Sequence, residues 1–165
     1  MNRNVRPQPS RLHAALLLAL LSLPLLALPL AAQAQSGITD LGTLGGRSSA
    51  AYGVSADGSV VVGASSTAGN AAGQFFPAVH AFRWTQASST MTDLGTLGGT
   101  NSAASGVSAD GSVVVGGSAD TVGNTAFRAF RWTSGGGMVD LGTLGGTFSS
   151  ASGVSADGSD RKSVV

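Results

Sequence analysis

The sequence predicts an all-β fold, a propeller-like repeat of four-stranded blades, and three observations carry that prediction. Two heptapeptides recur three times at a fixed offset. Each unit holds four short β-type segments, two of them joined through Asp-Gly, the strongest short-range hairpin signal. Past residue 35 no apolar pattern of helical period is long enough for a helix.

The first heptapeptide is Asp40-Leu41-Gly42-Thr43-Leu44-Gly45-Gly46, which returns at 93–99 and 140–146. The second is Gly53-Val54-Ser55-Ala56-Asp57-Gly58-Ser59, which returns at 106–112 and 153–159, always 13 residues behind the first. A third element, Ala81-Phe82-Arg83-Trp84-Thr85, returns at 129–133. Such self-similarity marks a repeat architecture. Units follow one another at 53 and then 47 residues. The difference falls between Gly63 and Asp93, mostly in the Gly/Ala/Ser-rich stretch 64–79, where a loop absorbs length cheaply.

Within a unit, Ala-Phe-Arg-Trp-Thr is the first expected strand, aromatic and alternating in polarity. The second is expected to run from Met91 or Met138 into Asp-Leu-Gly-Thr-Leu. The third ends in Gly-Val-Ser near 51–55, and the fourth is Val60-Val61-Val62. The Asp-Gly turn between the last two suits positive φ at Asp57 and Gly58, which β-branched neighbours resist. Four strands per unit of about 47 residues is the size of a propeller blade. A β-solenoid or a small β-sandwich is the alternative. Units start near 37, 80 and 127, giving about two and a half to three of them over residues 35–165. Val60–Val62, Val113–Val115, the paired leucines, Trp84 and Trp132 are expected to form the buried layers between blades.

The first 34 residues read differently. Arg3, Arg6 and Arg11 precede an apolar run from Ala14 to Ala32, and Ala32-Gln33-Ala34 supplies small residues for cleavage between Ala34 and Gln35. That order is a secretory signal peptide. It implies a secreted, periplasmic or cell-surface protein. The rival reading, a signal anchor, is weakened by Pro29 and the small-residue site.

Composition excludes several classes. With no cysteine there are no disulfides, thiolate nucleophiles or Cys-ligated zinc. Three of the nine cationic residues lie in the leader, leaving six against eight aspartates, scattered, with no basic patch for nucleic acid. Glutamate is absent throughout.

Together, His80-Ala81-Phe82-Arg83-Trp84, the Asp-Leu-Gly-Thr-Leu-Gly-Gly element and Gly-Val-Ser-Ala-Asp-Gly-Ser-Val-Val-Val-Gly resemble the HAF family of extracellular repeats. The resemblance spans about residues 37–159. In the second copy Arg128 replaces the histidine. It implies a bacterial, exported protein, in some members followed by an autotransporter barrel, with an uncharacterised molecular role.

The polar residues of the repeats read as structural. Asp57, Asp110 and Asp157, followed by Gly58, Gly111 and Gly158, sit in identical turns. Calcium wants six to eight oxygens, and each turn offers one carboxylate, so neither metal nor cofactor is expected. Asp40, Asp93 and Asp140 are expected to bond neighbouring turns at strand edges. Arg83 and Arg131, which precede Trp84 and Trp132, are expected to stack on an indole or to pair with an aspartate of the next blade. Exposed tryptophans for surface recognition are the functional rival. His80 is the only histidine past the leader, so no Ser-His-Asp triad recurs with the repeat.

These observations predict an exported, non-enzymatic repeat protein for surface presentation, adhesion or binding of a glycan or protein. A structural spacer or autotransporter-like passenger segment is the alternative. A propeller hydrolase is disfavoured for want of paired carboxylates. In the third unit Asp160-Arg161-Lys162 stands where the others have Val-Val-Val. That unit is therefore expected to be truncated, leaving open edges through which copies self-associate.

Overall fold

The computed structural model describes residues 37–69, 78–120 and 126–159, with the backbone of 161–164. The expected leader 1–34, its Ala34/Gln35 junction and the middle of the 64–79 stretch lie outside the described residues. All elements below belong to one compact unit, Thr39–Val165.

Every regular element among the described residues is a β-strand. The first sheet is an antiparallel meander of β1 (Gly45–Val54), β2 (Val60–Thr67), β3 (Val79–Thr85) and β4 (Thr90–Asp93), hydrogen-bonded in chain order. The second repeats it with β5 (Ser102–Val107), β6 (Val113–Ala119), β7 (Phe127–Thr133) and β8 (Gly137–Asp140). A third sheet holds β9 (Ser150–Val154) and β10 (Arg161–Val164). The first sheet begins at the end of its heptapeptide and the second just past its own, so Ala-Phe-Arg-Trp is the third strand of a sheet rather than its first.

Two expectations about strands are corrected. Leu-Gly-Thr-Leu does not extend the Met91 or Met138 strand, because β4 and β8 stop at Asp93 and Asp140 and the next residues are irregular. The physical reason is glycine. Gly95 and Gly142 hold φ near +75°, outside the extended region. Conversely, the Val-Val-Val strands run on to Thr67 and Ala119 through small residues. Gly63 and Gly116 are required there, since a Cβ at either would strike the carbonyl oxygen of Ala50 or Ala103 beside a β-bulge.

Strand register locates the length difference between units. Ser66 pairs with Val79, and its equivalent Ala119 with Phe127, so the β2–β3 loop is five residues longer than β6–β7. One more residue lies in the β3–β4 turn, where Thr85 pairs with Thr90 but Thr133 with Gly137.

The core lies between sheets. Alternation puts Val60 and Val62 on one face of β2, and with Ala81 they pack on Ala104, Val114 and Phe130 of the second sheet, with Leu94 filling between. Val113, Val115 and Ala129 repeat the step against Ala151. Each sheet thus presents a forward face to the next sheet. On the receiving side the first strand dominates: β1, β2 and β3 all touch β5, and β5, β6 and β7 all touch β9.

Three core expectations are corrected in detail. Trp84 is buried, but its equivalent Trp132 is only half-buried. Val61 lies on the opposite face from its neighbours and is half-buried. Among the paired leucines Leu94 is buried, while Leu144 is 89% exposed.

Candidate functional site

Sequence reasoning singled out aspartates, arginines and tryptophans. Serines do as much of the joining.

In each Asp-Gly turn the Ser55, Ser108 or Ser155 hydroxyl donates to Asp57, Asp110 or Asp157 at 2.6–2.7 Å. The same carboxylate accepts the backbone N–H of Ser59, Ser112 or Ser159 at 3.0 Å. Donation by the serine hydroxyl first, and by that N–H second, lowers each carboxyl from 3.8 to about 2. Each turn closes on a glycine N–H bonded to the serine carbonyl at 3.0 Å, and only the glycine takes positive φ, +72 to +76°. Positive φ at Asp57 is therefore corrected: the left-handed step of the turn falls on the glycine alone, which leaves aspartate in ordinary backbone space.

The turns are also stitched to one another. Ala56 N–H donates to the Ala109 carbonyl, and Ala109 N–H to the Ala156 carbonyl, each at 3.0 Å. Val60 fills the space where a Cβ on Gly111 would sit, and Val113 does so at Gly158.

The first heptapeptide closes on itself. Asp40, Asp93 and Asp140 accept the N–H of Gly42, Gly95 and Gly142 at 2.7–2.9 Å, so they cap their own turns rather than a neighbour's. Thr43, Thr96 and Thr143 donate to the carbonyls of Gly46, Gly99 and Gly146. Buried Ser102 then bridges two sheets: it donates to the Gly95 carbonyl at 2.6 Å and accepts the Ala81 N–H at 2.8 Å. Ser149 repeats this with Gly142 and Ala129. These serines stand nine residues behind each Asp of the first heptapeptide, and that constant spacing was the signal available in the sequence.

Arg83 does reach the next unit. Its Nε donates at 3.1 Å to the carbonyl of Gly111, not to a carboxylate or an indole, because a turn glycine's carbonyl is what the forward face meets there. Arg131, its equivalent, has no such bond among the described residues. His80 pairs with Asp93 at 2.8 Å across β3 and β4, whereas Arg128 pairs with Asp120 at 3.0 Å. The two units therefore solve the same position with different partners.

The sheet interfaces are also marked by a variable pair. Val79 N–H donates to the Asn101 side chain at 3.1 Å, and in the next interface the equivalent residues, Phe127 and Phe148, stack with ring centroids 5.7 Å apart. Among the described residues no three His, Asp or Glu side chains come together to hold a metal ion. A shallow cleft of about 160 Å³ at the start of β1 is walled by Ser48, Ser66, Tyr52 and Val79 among others. It is smaller than the few hundred Å³ that a drug-sized ligand needs.

Comparison of the chain with known protein families, curated proteins and solved structures finds no match.

Proposed function

We propose that this is an exported, non-enzymatic protein of the HAF repeat type, whose sheets stand side by side as propeller-like blades and present their variable loops for adhesion or ligand binding. One observation carries the reading. The aspartates, threonines and most of the serines of the repeats are spent on the turns and on the joins between sheets, which leaves the residues that differ between units to meet a partner. The strand order favours blades: each sheet is a meander, and its last strand leads through the first heptapeptide to the first strand of the next. A glycan or a protein at the cell surface fits loops rich in Gly, Ser and Thr, which make weak contacts that gain strength in multiples. A structural spacer in an autotransporter-like protein is the second reading, favoured by the same scaffolding use of the polar groups.

A glycan and matrix-protein array probed with residues 35–165 tests the binding reading, and binding by neither class of ligand sinks it. Turnover of chromogenic glycosides or esters would overturn the non-enzymatic part. N-terminal sequencing of the exported protein is expected to begin at Gln35, and a start at Met1 would refute the signal peptide.

A further inference from the structure

We infer that the cleft beside Tyr52 on the first sheet is a subsite for one uncharged pyranose ring of a glycan. The inference rests on the binding reading above and gives it a place and a ligand class.

The first two sheets, compared position by position, show how the cleft arises. In the second sheet the Phe127 ring lies over Gly117, where it would strike a Cβ. Strand register makes Val79 the equivalent of Phe127 and Ala64 that of Gly117. A large ring over a glycine is thus exchanged for a small side chain beside an alanine, and what the ring fills in the second sheet is a cleft in the first. Ala64 and Ser66 continue the alternation of Val60 and Val62, so the cleft opens on the forward face, at the end of the sheet away from the Asp-Gly turn. It holds about 160 Å³. That is roughly half of the ~300 Å³ at which pockets for drug-sized ligands begin, so it suits one ring and not several.

The rim differs between units as well. β1 carries Tyr52 where β5 has Ser105 and β9 has Ser152. Tyr52 is the extra residue of a β-bulge, since Ala51 pairs with Gly63 and Gly53 with Val62. A bulge of this kind re-aims a side chain. Tyr52 lines the cleft and is 60% exposed, so its ring is not spent on the core.

The lining selects the ligand. Ala64 and Ser66, both buried, form the floor. The Ser66 and Ser48 hydroxyls bond each other at 3.0 Å. Their mutual bond uses one of the two hydroxyl protons, which leaves one donor and several lone pairs for a ligand. Tyr52 adds an apolar ring face and a phenolic hydroxyl. A pyranose is divided in the same way, with a face of C–H groups and a rim of hydroxyls that donate and accept. No charged side chain lines the cleft, so nothing there compensates a buried carboxylate, sulfate or phosphate. An aromatic side chain from a protein would fill the space but give the serine pair nothing to bond.

Tyr52 is the only tyrosine of the chain and serves as its own reporter. The exported chain labelled with meta-fluorotyrosine should give one fluorine signal. Methyl glycosides of glucose, galactose, mannose and N-acetylglucosamine are the probes, and at least one should move that signal saturably. Methyl glucuronide and N-acetylphenylalanine amide are the charged and aromatic controls. Tyr52→Ser, an exposed change to the residue of the other units, should weaken the same glycoside about tenfold in ligand-observed NMR. Tyr52→Phe keeps the ring face and should cost about threefold. Ala64→Gly together with Val79→Phe rebuilds the pair that the second sheet already folds with, fills the cleft and should abolish the shift. The inference is overturned if none of the four glycosides moves the signal, if either control moves it as much, or if binding is unchanged in Tyr52→Ser. A glycan captured on the array without movement of the Tyr52 signal overturns it too, yet leaves the binding reading standing.

Discussion

The first and second sheets share their motifs letter for letter, yet the same letter has a different environment in each. Ala51 is exposed and Ala104 is fully buried; Ser49 makes one described bond and Ser102 makes two across a sheet interface. The difference is position in the array, not residue type. In a repeat protein the energy of a residue belongs partly to its neighbour unit, so identical substitutions should cost different amounts in different units.

The largest effects should come from the aromatic side chains. Phe130 is fully buried between the sheets, and Phe130→Ala should cost about 3–5 kcal/mol. The tryptophans sharpen the comparison. Trp84→Ala should fall in the same range of about 3–5 kcal/mol. Trp132, half-buried against the same cluster, should cost about 1–2 kcal/mol in proportion to the area it hides. Urea melts of the two tryptophan variants decide it: an equal loss would mean that the difference in burial does not set the cost.

Next come the bridging serines. Ser102→Ala strips partners from the Ala81 N–H and the Gly95 carbonyl at a buried interface, so about 1–3 kcal/mol should be lost. Ser149→Ala should match it. Ser49→Ala acts in water-exposed surroundings and should stay within about 0.5 kcal/mol. If all three cost the same, the hydroxyl matters within its own loop and not between sheets.

Smaller again is the variable pair at the interface. Phe148→Ala should cost about 0.5–1.5 kcal/mol for the lost stack. Asn101→Ala should cost a similar amount, about 0.5–1.5 kcal/mol for one hydrogen bond. A larger loss at only one of the two would show that the interfaces are unequal in strength as well as in chemistry.

Much of this was legible in the sequence, and the exceptions have physical reasons. The repeat periods and the Asp-Gly signal gave strands β2, β3, β6 and β7 and the hairpins between β1–β2 and β5–β6. Leu-Gly-Thr-Leu reads as strand because its leucines look like core, but the left-handed Gly95 and Gly142 break the ladder. The extension of β2 through Gly63-Ala64-Ser65-Ser66 was hidden, because small residues carry no strand propensity and only the close approach of Ala50 explains them. The partner of Arg83 was hidden for another reason. A backbone carbonyl has no letter in the sequence, so charge pairing suggested an aspartate and the chain used Gly111 instead. The serines stood at constant spacing throughout, but their burial depends on which sheet lies alongside, and that is a property of the array.

The smallest expected difference between units is in the Asp-Gly turns, where the comparison should vanish. All three carboxyls are lowered from 3.8 to about 2 by the same serine hydroxyl and backbone N–H donors. A carboxyl lowered by folding adds stability above its unfolded value, and that stability is lost as pH falls through the folded one. The urea midpoint should therefore decline between about pH 4 and pH 2, with each turn contributing alike. Asp57→Asn, Asp110→Asn and Asp157→Asn keep an acceptor oxygen but cannot titrate, so each should remove a similar part of the decline. The turns are linked by the Ala56, Ala109 and Ala156 backbone bonds, and Asp110 lies in the middle of that ladder. If Asp110→Asn alone removed most of the acid sensitivity, the three turns would be titrating as one unit, and the picture of separate, locally determined turns would fail.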